Sequence, residues 1–208
     1  MVAAGLFAAF LILGFIVLDW WYFGRPERQS MMYGCPIGSL TLESTRLSDD
    51  SLADRFGPRC LLVLPHGRAL WFPEGRRILL QADCRRFASR FRTAWPLKGS
   101  IEVRQEEGRL RAVCIKRTPW SSATITVLWF LLVVGGSVGF VATFGLDGGF
   151  ASAAGAMLGF GVLALGALVL FFGMVTVAMA YRIENGRLLQ VWQEWGEELA
   201  QMRSSAVR

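Results

Sequence analysis

One stretch decides the fold: residues 150–181 read FASAAGAMLGFGVLALGALVLFFGMVTVAMAY, and none of these 32 side chains is charged. Small residues recur in it at intervals of seven, a spacing that places them on nearly one face of a helix. This row is Ser152, Gly159, Gly166, Gly173 and Ala180, with Gly155 in the adjacent row. Small residues let helices pack closely in lipid. The stretch therefore predicts a long transmembrane helix that contacts a partner helix.

Two further stretches have the length and composition of a membrane span, which needs about 20 apolar residues as a helix. They are residues 1–23 and 123–145. Hydrophobic residues make up 53% of the chain, and its mean hydropathy is +0.41. Soluble domains rarely have such values. The predicted fold class is a membrane α-helical protein with three transmembrane helices and an inserted cytoplasmic β-rich (α+β) domain, residues 24–122.

The distribution of Lys and Arg predicts the orientation in the membrane. Residues 24–122 hold 18 of the 22 basic residues, and residues 182–208 hold the other 4. Basic loops remain on the cytoplasmic side. The chain is therefore predicted to be a multi-pass protein of the cell inner (plasma) membrane. Its N-terminus would lie outside, and residues 24–122 and the C-terminus would lie in the cytoplasm.

The inserted domain has the pattern of a β-meander, because short apolar runs alternate with turns that contain Gly or Pro. Residues 48–55 are predicted to form a helical turn or a loop. The predicted strands are residues 40–43, 60–64, 69–72, 77–81, 101–105 and 110–116.

Residues 83–92 predict a basic amphipathic helix within the domain, with Asp83 as its N-cap. Its apolar stripe would either dock on the sheet as core or lie on an anionic membrane surface. The candidate contacts with lipid or a partner are Arg85, Arg86, Phe87, Arg90, Phe91 and Arg92.

Residues 182–208 are predicted to form a cytoplasmic amphipathic tail. Gly186, after Asn185, is expected to break the long helix. Apolar residues then recur at helical spacing, and Trp192 and Trp195 are candidate contacts with lipid or a partner. A rival interpretation adds the tail to the domain as a strand, because residues 182–191 resemble a predicted hairpin.

The short connection between the second and third spans predicts an antiparallel helical hairpin. The second span has its own row of small residues, Gly135, Gly139 and Thr143. Some of the glycines in the two rows would therefore pack the second and third spans against each other. The remainder would contact another subunit.

Residues with catalytic or ligand chemistry form no recognisable motif. Cys35, Cys60, Cys84 and Cys114 lie 24 to 30 residues apart, without the close pairs of common metal sites, and are expected to be small buried residues. Asp19 is expected to lie at the membrane interface. No catalytic residue, metal site or cofactor is predicted.

The predicted function is a non-catalytic accessory or scaffold subunit of an inner-membrane complex. The Gly-rich helices would pack on other integral membrane subunits or on copies of the chain. The inserted domain, with a net charge of +8 from 18 basic and 10 acidic residues, would dock anionic lipid headgroups or an acidic cytoplasmic partner; no nucleic-acid motif is present. The alternatives are a transport or channel component with a path between copies, and a membrane-tethered enzyme.

Overall fold

The computed structural model describes residues 2–45, 55–88, 90–106 and 109–205. These residues form two compact units. The first comprises Met1–Ser122 with Arg182–Arg208, and the second comprises Ala123–Tyr181. Most of the turn or loop predicted at residues 48–55 lies outside the described residues.

Three helices in the described part of the chain are long and apolar enough to cross a membrane. A fourth helix, α2, is a single turn that spans Arg28–Met31 and is too short to cross a membrane. The three long helices are α1, Val2–Gly24; α3, Trp120–Leu146; and α4, Ala153–Ser205.

Six strands form one antiparallel sheet in the order β1-β6-β5-β4-β3-β2. The predicted meander is confirmed, and with the long helices the chain has a mixed α+β fold. The first strand is longer than predicted because it pairs along almost the whole of the last strand. The strands are β1, Cys35–Thr45; β2, Leu61–Leu64; β3, Gly67–Phe72; β4, Arg77–Ala82; β5, Lys98–Glu106; and β6, Arg109–Thr118.

Helices pack on both faces of the sheet near its central strands. Successive residues of a strand point to opposite faces. On one face, a Cβ atom added to Gly99 would lie 3.5 Å from the Leu188 side chain of α4. On the other face, Lys98 bonds the backbone of Phe23 near the end of α1. The core of this unit is therefore a sheet between the last part of α4 and the end of α1.

The C-terminal part of α4 corrects one prediction and confirms another. The helix continues through Gly186, so the predicted break at this residue is wrong. The rival interpretation, in which the tail adds a strand to the domain, is also wrong. The predicted tail helix is confirmed. Gly186 is open on its outer side, and glycine costs only about 1 kcal/mol in a helix. Burial of each large apolar side chain contributes about 1.5–3 kcal/mol. Leu188, Val191 and Trp195 are fully buried, and their burial outweighs the glycine.

The two predicted contacts in the tail, Trp192 and Trp195, lie on the buried apolar stripe of α4. Trp195 is completely buried, and Trp192 is only 8% exposed. Their rings lie 5.2 Å apart. Both are core residues, so neither is available to lipid or to a soluble partner.

The small residues of α4 face side chains of their own unit. A Cβ atom at Gly159 would meet the Phe150 ring, one at Gly166 would meet Ser137 of α3, and one at Gly173 would meet the Trp129 ring, each at 2.3 Å. The glycines thus accommodate side chains between the two helices of the hairpin. Of the remaining predicted packing residues, Ser152 precedes the helix and Gly155 abuts the Gly149 carbonyl, while Ala180 is half-buried within α4.

The predicted row on α3 has a different environment. No atom beyond its own helix lies within 4 Å of a Cβ atom added at Gly135, Gly136 or Gly139 in the described structure. Thr143 donates its hydroxyl hydrogen bond to the Gly139 carbonyl of its own helix, at 3.0 Å. The row is exposed because Ser137, which faces α4, lies on the opposite side of α3.

Candidate functional site

An open cavity of about 710 Å³ lies in the sheet-containing unit, beside the last residue of α1, Gly24. Exposed side chains of the edge strand β2, Leu61 and Val63, form an apolar part of its wall. Among the described residues, its charged lining consists of five arginines and one carboxylate. These residues are Arg68, Arg85, Arg86, Arg90, Arg92 and Asp83.

The loop that carries most of these arginines is not the predicted amphipathic helix. Only Cys84–Arg86 forms a short 3-10 helix, which Asp83 caps by accepting a hydrogen bond from the Arg85 backbone N–H at 3.1 Å. Arg86 donates to the Leu64 carbonyl at 2.7 Å, at the end of β2, and to the Pro65 carbonyl at 3.3 Å, in the turn that connects β2 to β3. Since these bonds attach the loop to the turn, the loop follows the sheet edge. The prediction of a helix over residues 83–92 is wrong.

A buried ion pair on α4 fixes the far end of the loop. The Arg187 and Glu184 side chains are 3% and 4% exposed, and their charged atoms lie 2.8 Å apart. Glu184 also accepts from the Thr93 backbone N–H at 3.2 Å, and Arg187 donates to the Phe91 carbonyl at 2.9 Å. Charges buried this deeply need such partners. The pair therefore holds the loop against α4.

The single histidine joins α4 to the turn between β2 and β3. Glu194 accepts from the His66 backbone N–H at 3.0 Å, and its second carboxylate oxygen bonds Nδ1 of the ring. Gln190 lies 3.1 Å from the same ring nitrogen. The Phe87 ring of the loop packs beside the imidazole, with the ring centroids 5.2 Å apart. His66 is thus part of the support for the cavity wall.

The end of α1 is capped by two side chains of the sheet. Lys98 donates to the carbonyls of Phe23, at 3.1 Å, and Ser30. Gln81 donates to the Gly24 carbonyl at 3.4 Å. The carbonyls of Phe23 and Gly24 lie in the last turn of α1, where carbonyls have no partner within the helix, and a cation near a helix C-terminus is favourable. The two bonds position α1 beside the cavity.

Burial lowers the pKa of the Lys98 amine. The residue is 1% exposed. Burial lowers the pKa of its amine from 10.5 to about 7, and the nearby Arg117 lowers the pKa further while Asp19 partly opposes the shift. Burial also raises the pKa of the Cys114 thiol from 9.0 to about 12. Lys98 is therefore the group that links stability to pH between about 7 and 9.

We expect the stability of the wild-type chain to rise with pH over that window. The unfolded chain binds the Lys98 proton up to pH 10.5 and the folded chain releases it near pH 7, so the free energy of unfolding rises by at most about 1.4 kcal/mol per pH unit. Thermal unfolding of the detergent-solubilised chain, followed by tryptophan fluorescence, measures this slope. Lys98→Met should lack it. Equal slopes in the two proteins would contradict the assignment.

Asp19, which the sequence predicts to lie at the membrane interface, is a buried structural group that is 4% exposed. It accepts from the Tyr33 hydroxyl and, at 2.9 Å, from the Ser121 backbone N–H at the start of α3. Burial and the hydrogen bond to Asp19 raise the pKa of Tyr33 to about 12. Asp19 therefore caps a helix start, where a negative charge is favourable.

Three arginines of the cavity, Arg85, Arg90 and Arg92, differ from the other two in their hydrogen bonds. Arg68 donates to Gln81 at 2.9 Å, and Arg86 bonds the turn. Among the described residues, the guanidinium groups of Arg85, Arg90 and Arg92 have no hydrogen-bond or ion-pair partner, and all three are exposed. Asp83, the one carboxylate that the described residues contribute to the lining, bonds its own loop. The cavity is thus strongly positive and suited to an anion.

No known protein family, curated protein or solved structure matches the chain. The functional interpretation therefore depends on the geometry and charge of the cavity and on the exposed surfaces of the helices.

The structure brings together Arg85, Arg86, Arg90 and Arg92, which were all predicted contacts. Of the two aromatic contacts predicted in this loop, Phe91 is 61% exposed, whereas Phe87 packs beside the His66 ring. Arg68 was not among the predicted contacts; it pairs in register with Gln81 of β4. The tight turn between β3 and β4 fixes the pairing of Arg68 with Gln81. This pairing could therefore have been predicted from the turn in the sequence.

The cysteines follow their prediction only in part. All four thiols are free; Cys114 is buried, and the other three are half-buried. Cys84 lines the cavity, with its sulfur 3.8 Å from a nitrogen of Arg187. The described residues contain no group of three or more side chains placed to hold a metal ion.

Proposed function

We propose that the chain is a non-catalytic accessory subunit of an inner-membrane protein complex. It crosses the membrane three times, through α1, α3 and the apolar part of α4. Its N-terminus lies outside, and residues 24–122 and the C-terminus form a cytoplasmic module. The apolar lengths of the three helices and the concentration of basic residues in the module support this arrangement.

The observation that carries the proposal is the open glycine row of α3. Gly166 and Gly173 of α4 already accommodate side chains of their own unit, whereas Gly135 and Gly139 have no such neighbour in the described structure. A row of small residues that faces lipid gains no packing there, but it gives a second helix close access. The row is therefore the surface that contacts another subunit.

The buried charges of the module support a scaffold role. Asp19 caps α3, Lys98 caps α1, and the pair of Glu184 and Arg187 fixes the cavity loop. Each of these groups makes bonds that connect one structural element to another. The module is thus built as a rigid docking platform at the membrane.

The proposal is tested by purifying the chain in mild detergent and measuring the mass of its assemblies. We expect the wild-type chain, 23.1 kDa, to elute in a stable complex with different subunits. Gly135→Leu combined with Gly139→Leu should release it as a folded monomer, because leucine blocks the approach of a partner helix. Gly161→Leu is the matched control, since Gly161 is equally open but lies on α4.

Two outcomes would contradict this function. A wild-type monomer would remove the basis for an accessory subunit. A ring of identical chains would favour the channel alternative, in which the conducting path forms between copies.

A further inference from the structure

We propose that the arginine-lined cavity beside Gly24 binds the phosphate group of an anionic phospholipid. This inference rests on the proposed membrane insertion, and it assigns a ligand to the basic module. Three features of the cavity carry it: its unpaired positive charge, its position at the end of α1, and its apolar wall.

The charge of the cavity defines the chemistry of the ligand. The guanidinium groups of Arg85, Arg90 and Arg92 repel one another across an open space and have no acidic partner in the described structure. Guanidinium groups form paired hydrogen bonds with phosphate oxygens. A phosphate that enters the cavity both relieves the repulsion and satisfies these donors.

The position of the cavity defines the source of the phosphate. The end of α1 carries the run Trp20, Trp21 and Tyr22, and the Arg25 guanidinium lies 3.4 Å from the centre of the Trp21 ring. Tryptophan, tyrosine and arginine at the end of a span mark the depth of the lipid headgroups. Gly24 follows this run and lines the cavity. The cavity therefore opens where lipid phosphates are concentrated, which favours a lipid over a soluble phosphate.

The apolar wall and the charge together define the class of lipid. Leu61 and Val63 are 37% and 61% exposed, and they provide a surface for the glycerol and the first acyl carbons. A zwitterionic headgroup would bring an ammonium group among the arginines, where like charges repel. The cavity thus selects a phospholipid without an amine, of the phosphatidylglycerol type.

The experiment titrates the full chain in detergent with phosphatidylglycerol or phosphatidylcholine and measures lipid binding by native mass spectrometry. We expect the wild-type chain to prefer phosphatidylglycerol. Arg85→Gln with Arg90→Gln and Arg92→Gln should weaken that binding by about 10- to 100-fold. The same three positions changed to Lys should bind with intermediate affinity, since the charge remains but the paired geometry is lost.

The matched control removes the same charge outside the cavity, at Arg28, Arg59 and Arg104. This triple Gln variant should bind within about twofold of the wild-type chain, because only nearby charges act strongly. An equal loss in both triple variants, or an equal affinity for the two lipids, would overturn the inference. Displacement of the lipid by millimolar glycerol phosphate would also overturn it in favour of a soluble ligand.

Membrane fractionation of the wild-type chain separates the two proposals. A chain extracted without detergent would refute the membrane insertion on which both depend. A chain that requires detergent but shows no preference for phosphatidylglycerol would refute only the lipid site.

Discussion

Glu184→Ala is expected to lower the free energy of unfolding by about 3–5 kcal/mol, since it leaves the Arg187 charge buried without its carboxylate. The substitution also removes the acceptor of the Thr93 backbone N–H. The cavity loop would lose its attachment to α4 at the same time. Thermal unfolding of the full chain in detergent, followed by near-ultraviolet circular dichroism, should show a melting temperature lower by roughly 10 °C.

Two variants control for the loss of a carboxylate. Glu197 is exposed on the same helix, so Glu197→Ala should change the stability by no more than about 0.5 kcal/mol. Replacing both Glu184 and Arg187 by Met should recover much of the lost stability, because neither charge then remains unpaired. Equal melting temperatures for Glu184→Ala and Glu197→Ala would show that the buried pair does not hold the loop.

Gly166→Leu combined with Gly173→Leu is expected to destabilise the hairpin of α3 and α4 by about 2–6 kcal/mol, from about 1–3 kcal/mol of overpacking at each site. The new Cβ atoms would lie 2.3 Å from Ser137 and from the Trp129 ring. Trp129 is only 37% exposed, so the ring must give up part of its contact with α4 to make room for a leucine. The abundance of the detergent-extracted chain and the emission of its tryptophans measure the effect.

Gly161→Leu serves as the control for the same helix. A leucine there meets no neighbouring atom within 4 Å at its Cβ position, so abundance should remain at the wild-type level. If the double variant were as abundant and as stable as this control, the seven-residue row would have no packing role in the hairpin.

The features that the sequence predicted well are those set by local patterns. The long apolar helices follow from runs without charge, and the strands β2 to β6 follow from short apolar runs between turns that contain Gly or Pro. Four of the cavity arginines were also identified, because they lie close together in one basic segment. Such signals need only neighbouring residues, which is why they could be read without a structure.

The features that were missed depend on contacts between distant parts of the chain. The loop over residues 83–92 has the pattern of a helix, but bonds to the carbonyl of Leu64 and to α4 determine its path. Gly186 has the propensity to end a helix, but the sheet offers a large apolar face to the residues that follow. In both cases the tertiary contacts contribute more free energy than the local preference.

The continuous helix α4 also constrains the order in which the chain is completed. The residues that close one face of the sheet begin at Leu188, while the last strand ends at Thr118. Two apolar helical segments must therefore leave the ribosome before that face can be covered. Until then the strands leave a row of apolar side chains uncovered. The sheet can be completed only after the apolar part of α4 has been synthesised, so a completed sheet shows that all three long apolar helices have already been made.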